Sequence, residues 1–172
     1  KLLARCCLDD PTLASCVRTE DVLASMDRHY QATTGTSATP YVGCVQALSE
    51  LQSAGVRLAC VTNKELRHAR RVLEVTRLDT WFDLVIGGDS LAEKKPHADV
   101  LRHVARTLDT PITRMAHVGD SSIDVAAARN AGVAAWAVPY GYNAGAPITD
   151  SHPDRLFENL TQVADHVIAN AP

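Results

Sequence analysis

The sequence predicts an α/β fold in which a parallel sheet carries helices on both faces. Three observations predict it. From about Gly43 onward, short apolar runs alternate with longer amphipathic ones. The connections between them are short, about two to six residues, as in βαβ units. The apolar runs are near-continuous rather than alternating, the pattern of strands buried on both faces.

Each element follows in order. Cys44 to Ala54 reads as a helix stopped by Gly55, and Val56 to Val61 reads as a buried strand. Glu65 to Val75 returns to helical periodicity, with Leu66, Ala69, Val72 and Leu73 on one face. Phe82 to Ile86 is a second strand, ending at Gly87-Gly88. His97 to Leu108 is a helix preceded by Pro96, and Met115 to Val118 a third strand. Ile123 to Asn130 is a helix closed by Gly132, and Val133 to Val138 a fourth strand. Pro153 to Ala169 reads as a closing helix. Residues 1–38 differ from all of this. Leu2, Leu3 and Cys6, then Val22, Leu23, Met26 and Tyr30, suggest two short helices before a Thr/Gly/Ser-rich connector. That stretch reads as a separate helical unit joined by a hinge to a core spanning 39–172.

Composition narrows the function classes. The 172 residues are 46% hydrophobic and 22% charged, enough apolar material for one core. With 17 basic and 20 acidic residues the net charge is −3, which gives no footprint for nucleic acid or an anionic membrane. No apolar run approaches the ~20 residues of a membrane span. Five cysteines, at 6, 7, 16, 44 and 60, show no metal-binding spacing. Cys44 and Cys60 lie in apolar stretches and read as small buried hydrophobes, which favours a reducing, cytoplasmic setting. The chain starts without Met, and the expectation is that it begins inside a longer protein.

In a parallel sheet, ligands bind beyond the carboxyl ends of the strands, so chemistry is sought there. At Val61-Thr62-Asn63, a hydroxyl and the free N–H groups of a helix start can donate to a phosphate. The same residues also read as an ordinary helix cap. At Lys94-Lys95-Pro96-His97, a lysine ahead of a proline-started helix can hold positive charge over a phosphoryl group. Lys95, abutting the rigid ring, is the better choice, although two solvated lysines also fit. At His117-Val118-Gly119-Asp120-Ser121-Ser122-Ile123-Asp124, an apolar strand runs into Gly-Asp, and a second carboxylate follows one helical turn later. Asp120 suits Mg²⁺, a hard cation that takes oxygen ligands and retains waters. Asp124 shares its helix face and can fix a metal-bound water. First-turn acidity alone is the competing account.

Taken together, Val61-Thr62-Asn63, Lys95-Pro96 and Gly119-Asp120-Ser121-Ser122-Ile123-Asp124 resemble motifs II, III and IV of the haloacid dehalogenase superfamily. The resemblance runs over nearly the whole chain, from the core entry at Thr39-Pro40-Tyr41-Val42-Gly43 to the helix Asp124–Gly132. The loop Tyr140-Gly141-Tyr142-Asn143 is similar to one in bacterial phosphoglycolate phosphatases. Ala98 departs from the proline that many relatives carry. The resemblance implies a Rossmann-like core with a small helical cap, of which 1–38 would be the second half and hinge. It implies a Mg²⁺-dependent phosphomonoester hydrolase acting through an aspartyl-phosphate, with 2-phosphoglycolate as the implied substrate. By position, Thr62 and Asn63 bind phosphate, Lys95 binds and neutralises it, Asp120 ligates Mg²⁺, and Asp124 serves both metal and catalysis. The partner is then a small phosphorylated metabolite, with oligomeric state open.

The family's first motif, a strand ending in Asp-x-Asp-Gly-Thr, is absent from these residues. Asp10-Pro11-Thr12-Leu13 echoes part of it, but the nucleophile's position would fall on Leu8, and leucine cannot attack phosphorus. The expectation is a core without its first, central strand, inactive alone and open at two sheet edges. The alternatives are a phosphatase or mutase for another sugar or nucleotide phosphate, and a catalytically dead binding module. A plain dinucleotide binder fits least, because no Gly-x-Gly-x-x-Gly follows any strand.

Overall fold

The computed structural model describes residues 18–170, and the chain divides into two compact units, Lys1–Ser37 and Ala38–Pro172. In the first unit one helix, α1 (Thr19–Thr33), carries Val22, Leu23, Met26 and Tyr30 at helical spacing. Its first turn holds Glu20 and Asp21, which suit the positive end of the helix dipole. The helix expected around Leu2, Leu3 and Cys6, the Asp10–Leu13 echo, and Cys6, Cys7 and Cys16 lie outside the described residues.

The second unit is built as α2 (Cys44–Ser53), β1 (Ala59–Val61), α3 (Leu66–Val75), β2 (Leu84–Ile86), α4 (Ala98–Thr107), β3 (Ala116–Gly119), α5 (Ser122–Ala131), β4 (Ala134–Ala137), β5 (Arg155–Leu156) and α6 (Leu160–Ala169). Among the described residues all ladders are parallel. β1 pairs with β2 in the register Ala59↔Leu84 to Val61↔Ile86. β3 pairs with β4 from Ala116↔Ala134 to Gly119↔Ala137, and β4 with β5. The strands therefore form two ladders, β1-β2 and β3-β4-β5, rather than one. Among the described residues, β1 and β3 are each paired along one edge only.

Small side chains set the spacing of the layers. Ala127 and Ala128 on α5, and Ala135 and Ala137 on β4, are fully buried together with Leu101 and Val125. Methyl groups on both surfaces let the helix lie close to the strands. Val100 and Val104 of α4 form a second cluster with Ile86 of β2, and Val61 and Met115 pack against both clusters. The two ladders therefore share apolar neighbours although no hydrogen bond joins their strands. A third cluster, Ala47 and Leu51 of α2 with Ala164 of α6, lies apart from the other two.

Several expected elements are shorter than the sequence implied, two of them by three residues or more. The first strand begins at Ala59 rather than Val56. Val56 and Leu58 pack instead against the α2–α6 cluster, while Leu58 exchanges hydrogen bonds with Asp83. The closing helix begins at Leu160, not Pro153. Asp154 prevents helix there by pairing with Ala135: its amide donates to the Ala135 carbonyl at 2.7 Å, and its Oδ2 accepts from the Ala135 amide at 2.7 Å. That reciprocal bond starts β5. Cys44 and Cys60 are free thiols and only half-buried, and burial pushes both thiol pKa values up.

Candidate functional site

The expected site residues converge at the carboxyl ends of β1 and β3. β1 delivers the first group. The Thr62 amide continues the ladder by donating to the Ile86 carbonyl at 2.9 Å, so the chain leaves the sheet only at Asn63. The Thr62 hydroxyl oxygen accepts from the Lys64 amide at 3.2 Å, which leaves its own proton to donate. Asn63 Nδ2 donates to the Lys95 carbonyl at 2.9 Å. One amide proton of Asn63 thus ties the β1 loop to the lysine segment, a strut that the sequence alone did not reveal.

Lys95 is the centre of the arrangement. It is 9% exposed, whereas its neighbour Lys94 is solvated. The Lys95–Pro96 peptide is cis. The Lys95 ammonium donates to the Val61 carbonyl at 2.7 Å and to Asp124 Oδ1 at 2.6 Å. An ammonium has three N–H groups, so one remains for a ligand.

Asp124 holds this lysine from α5. Its carboxylate is 9% exposed and every oxygen has a donor. Oδ1 takes Lys95 and His117 Nε2, the latter at 3.3 Å. Oδ2 takes the Ser121 hydroxyl at 2.6 Å and the Ser121 amide at 3.2 Å, the acidic half of a capping box. Burial alone would raise its pKa. The bonds from His117, the Lys95 charge and bond, and the Ser121 bond overcome that and hold the carboxyl far below the usual range. With both oxygens hydrogen-bonded, Asp124 is the counter-ion of Lys95.

Asp120 is oriented differently. Its Oδ2 accepts from the Tyr142 amide at 2.8 Å, and that is its single hydrogen bond among the described residues. Oδ1 is left for another partner. Two glycines make room for these carboxylates: a Cβ on Gly119 would collide with the Asp124 side chain, and one on Gly141 (φ +117) with the Asp120 carboxylate. In the sequence Gly119 reads as part of a motif, and nothing there assigns His117 or Gly141 these roles. A half-polar strand residue two before Gly-Asp was the one available signal for His117.

These residues fit one side of a Mg²⁺ site. Mg²⁺ is bound through one or two carboxylates, waters and substrate phosphate, so a single open carboxylate oxygen at a strand tip suits it. No group of three or more His, Cys, Asp or Glu that could hold a metal occurs among the described residues.

Known proteins resemble this chain in sequence and in fold. The family model for haloacid dehalogenase-like hydrolases matches residues 12–138. A plasmid-borne phosphoglycolate phosphatase of Cupriavidus necator is 40% identical over 140 residues, 81% of this chain and 61% of that protein. The phosphoglycolate phosphatase of Vibrio vulnificus is 39% identical over 145 residues, 84% of this chain and 64% of the relative. The chain thus spans less than two thirds of the length of these curated relatives. Among solved structures, a predicted phosphoglycolate phosphatase from Haemophilus somnus superposes with a TM-score of 0.80 at 30% identity, covering 90% of this chain and 71% of its own. CbbY from Rhodobacter sphaeroides in complex with phosphate gives 0.72 at 25% identity, covering 86% and 67%.

Proposed function

The chain belongs to the haloacid dehalogenase-like hydrolases, and on that premise we propose that it supplies the phosphate- and metal-holding half of a phosphomonoester hydrolase site whose substrate is 2-phosphoglycolate. The observation that carries the reading is the Lys95 ammonium, fixed at 2.6 Å from Asp124 and 2.7 Å from the Val61 carbonyl at the mouth of β1. A buried, preoriented cation stabilises charge that builds on a transferring phosphoryl group without reorganisation cost. Thr62 donates its hydroxyl proton to the phosphate, Asn63 holds the Lys95 segment in register, and Asp124 keeps the lysine charged and aimed. Asp120 would hold Mg²⁺, which when bound neutralises phosphate charge. The attacking carboxylate is assigned to a strand outside these 172 residues, lying between β1 and β3; the pairing of those two strands along one edge only, among the described residues, supports this. Residues 1–38 are read as cap and hinge, and 39–172 as the core.

The names of the curated relatives support 2-phosphoglycolate over other esters. A sugar bisphosphate is the second candidate, because a structure of CbbY bound to xylulose-(1,5)bisphosphate aligns with 86% of this chain at 25% identity. Free Cys44 and Cys60, together with bacterial relatives, support a bacterial cytoplasm as the setting.

The test is a panel of 2-phosphoglycolate, sugar mono- and bisphosphates and nucleotides, assayed with Mg²⁺ on the full encoded chain. The highest kcat/KM is expected for 2-phosphoglycolate. Lys95→Ala should lower kcat about 10²–10³-fold, the loss typical of one preorganised charge-stabilising donor. Near-normal turnover by Asp120→Asn would remove the metal assignment, and a flat panel would remove the substrate.

A further inference from the structure

The loop after β4 touches the site at Asp120, and its fixation depends on one side chain. Val138 anchors its start by donating its amide N–H to the Gly119 carbonyl at 3.0 Å, and buried Ile148 anchors its end. From Val138 the chain runs through Pro139 and Tyr140 into Gly141. Gly141, with no Cβ, permits the backbone to pass against the Asp120 carboxylate, and the next amide, Tyr142 N–H, takes Asp120 Oδ2 at 2.8 Å. Tyr142 itself is 80% exposed, so its ring does not hold that amide in place. Asn143 does. Its Oδ1 accepts from the Ser122 amide at the start of α5 at 2.9 Å. Its Nδ2 donates to the Ala146 carbonyl at 2.9 Å, and its own carbonyl accepts from the Ala146 amide at 2.9 Å.

We propose that Asn143 is a positioning residue for the metal-binding carboxylate: by clamping the 141–146 loop to the first turn of α5, it holds the Tyr142 amide on Asp120 Oδ2 and so turns Oδ1 toward the metal. This rests on the reading of Asp120 as the Mg²⁺ ligand. Without the clamp, Asp120 can rotate about its side-chain torsion, and the ordering cost is added to every binding event. Partners of this outer kind typically change metal affinity about 10–100-fold.

The test uses the full encoded chain and Mn²⁺ as the probe, with binding read by electron paramagnetic resonance and no turnover required. Asn143→Ala should bind Mn²⁺ about tenfold or more weakly. In the metal-free protein, hydrogen exchange at the Tyr142 amide should accelerate while the Val138 amide keeps its protection. Wild-type affinity in Asn143→Ala overturns the proposal and leaves the metal reading intact. Equal Mn²⁺ affinity in wild type and Asp120→Asn overturns the metal reading, and the proposal with it. If Asn143→Ala loses protection at Val138 as well, Gly141→Ala decides: its Cβ meets the Asp120 carboxylate directly, and unchanged affinity there overturns the proposal.

Discussion

At the residue scale, the site is a set of charges held by a few atoms each, and Asp124 shows how firmly. Its folded pKa is depressed, so the unfolded chain takes up a proton first as pH falls. The stability it contributes is therefore complete above the ordinary Asp value of about 3.9 and is lost progressively below it. Asp124→Asn removes that contribution and leaves buried Lys95 without its counter-charge, a loss of about 3–5 kcal/mol for a broken buried pair. Urea unfolding should then give a large gap between wild type and Asp124→Asn at pH 6 that narrows below about pH 4. A gap that stays constant to pH 3 would mean that the carboxylate is not held by its neighbours. That Thr62, Lys95, Asp120 and Asp124 fall at strand ends and helix starts was legible from the alternating pattern, while their roles come from the family resemblance. The commitment of Asp124 Oδ1 was not legible, because it depends on Lys95 and His117 meeting one carboxylate from different elements.

At the element scale, the helices from α2 to α5 match their sequence reading to within about a residue, since apolar periodicity and glycine stops are local signals, whereas the closing helix is read seven residues too early. Three of the four expected strands were over-extended, because an apolar run does not say where its ladder ends. β5 escaped notice altogether: Arg155-Leu156 has no strand pattern, and the Asp154–Ala135 reciprocal bond decides it from outside. The same stretch hides the true start of α6 at Asn159. Its Oδ1 accepts from the Gln162 amide at 3.0 Å and from the Thr161 hydroxyl at 2.6 Å, a helix cap that also orders the turn from β5. Asn159→Ala should cost about 1 kcal/mol, in the ordinary range for a lost cap, and lower the melting temperature accordingly. Asn159→Asp, which retains the acceptor, should recover most of it. If both variants melt like wild type, the cap is not what sets the boundary.

At the scale of the whole molecule, the division of the strands among the described residues into β1-β2 and β3-β4-β5 has a consequence that composition cannot reveal. A strand paired along one edge presents unpaired N–H and C=O groups along the other, and such edges template association unless covered or charged. Neither β1, Ala59-Cys60-Val61, nor β3, Ala116-His117-Val118-Gly119, carries a lysine, proline or acidic side chain to blunt its edge. The burial of these strands reflects it: β1 is half-buried throughout, while β4, paired on both sides, alternates with fully buried residues. The 172-residue chain by itself should therefore associate with rising concentration in sedimentation velocity. It should also give no steady Mg²⁺-dependent hydrolysis of 2-phosphoglycolate. The full encoded chain, if it inserts a strand between β1 and β3, should sediment without that edge-driven association and turn over the ester. The two measurements separate the two halves of the argument. A 172-residue chain that stays monomeric at high concentration would show that the edges are covered, and one that turns over the ester would show that the attacking group lies within it.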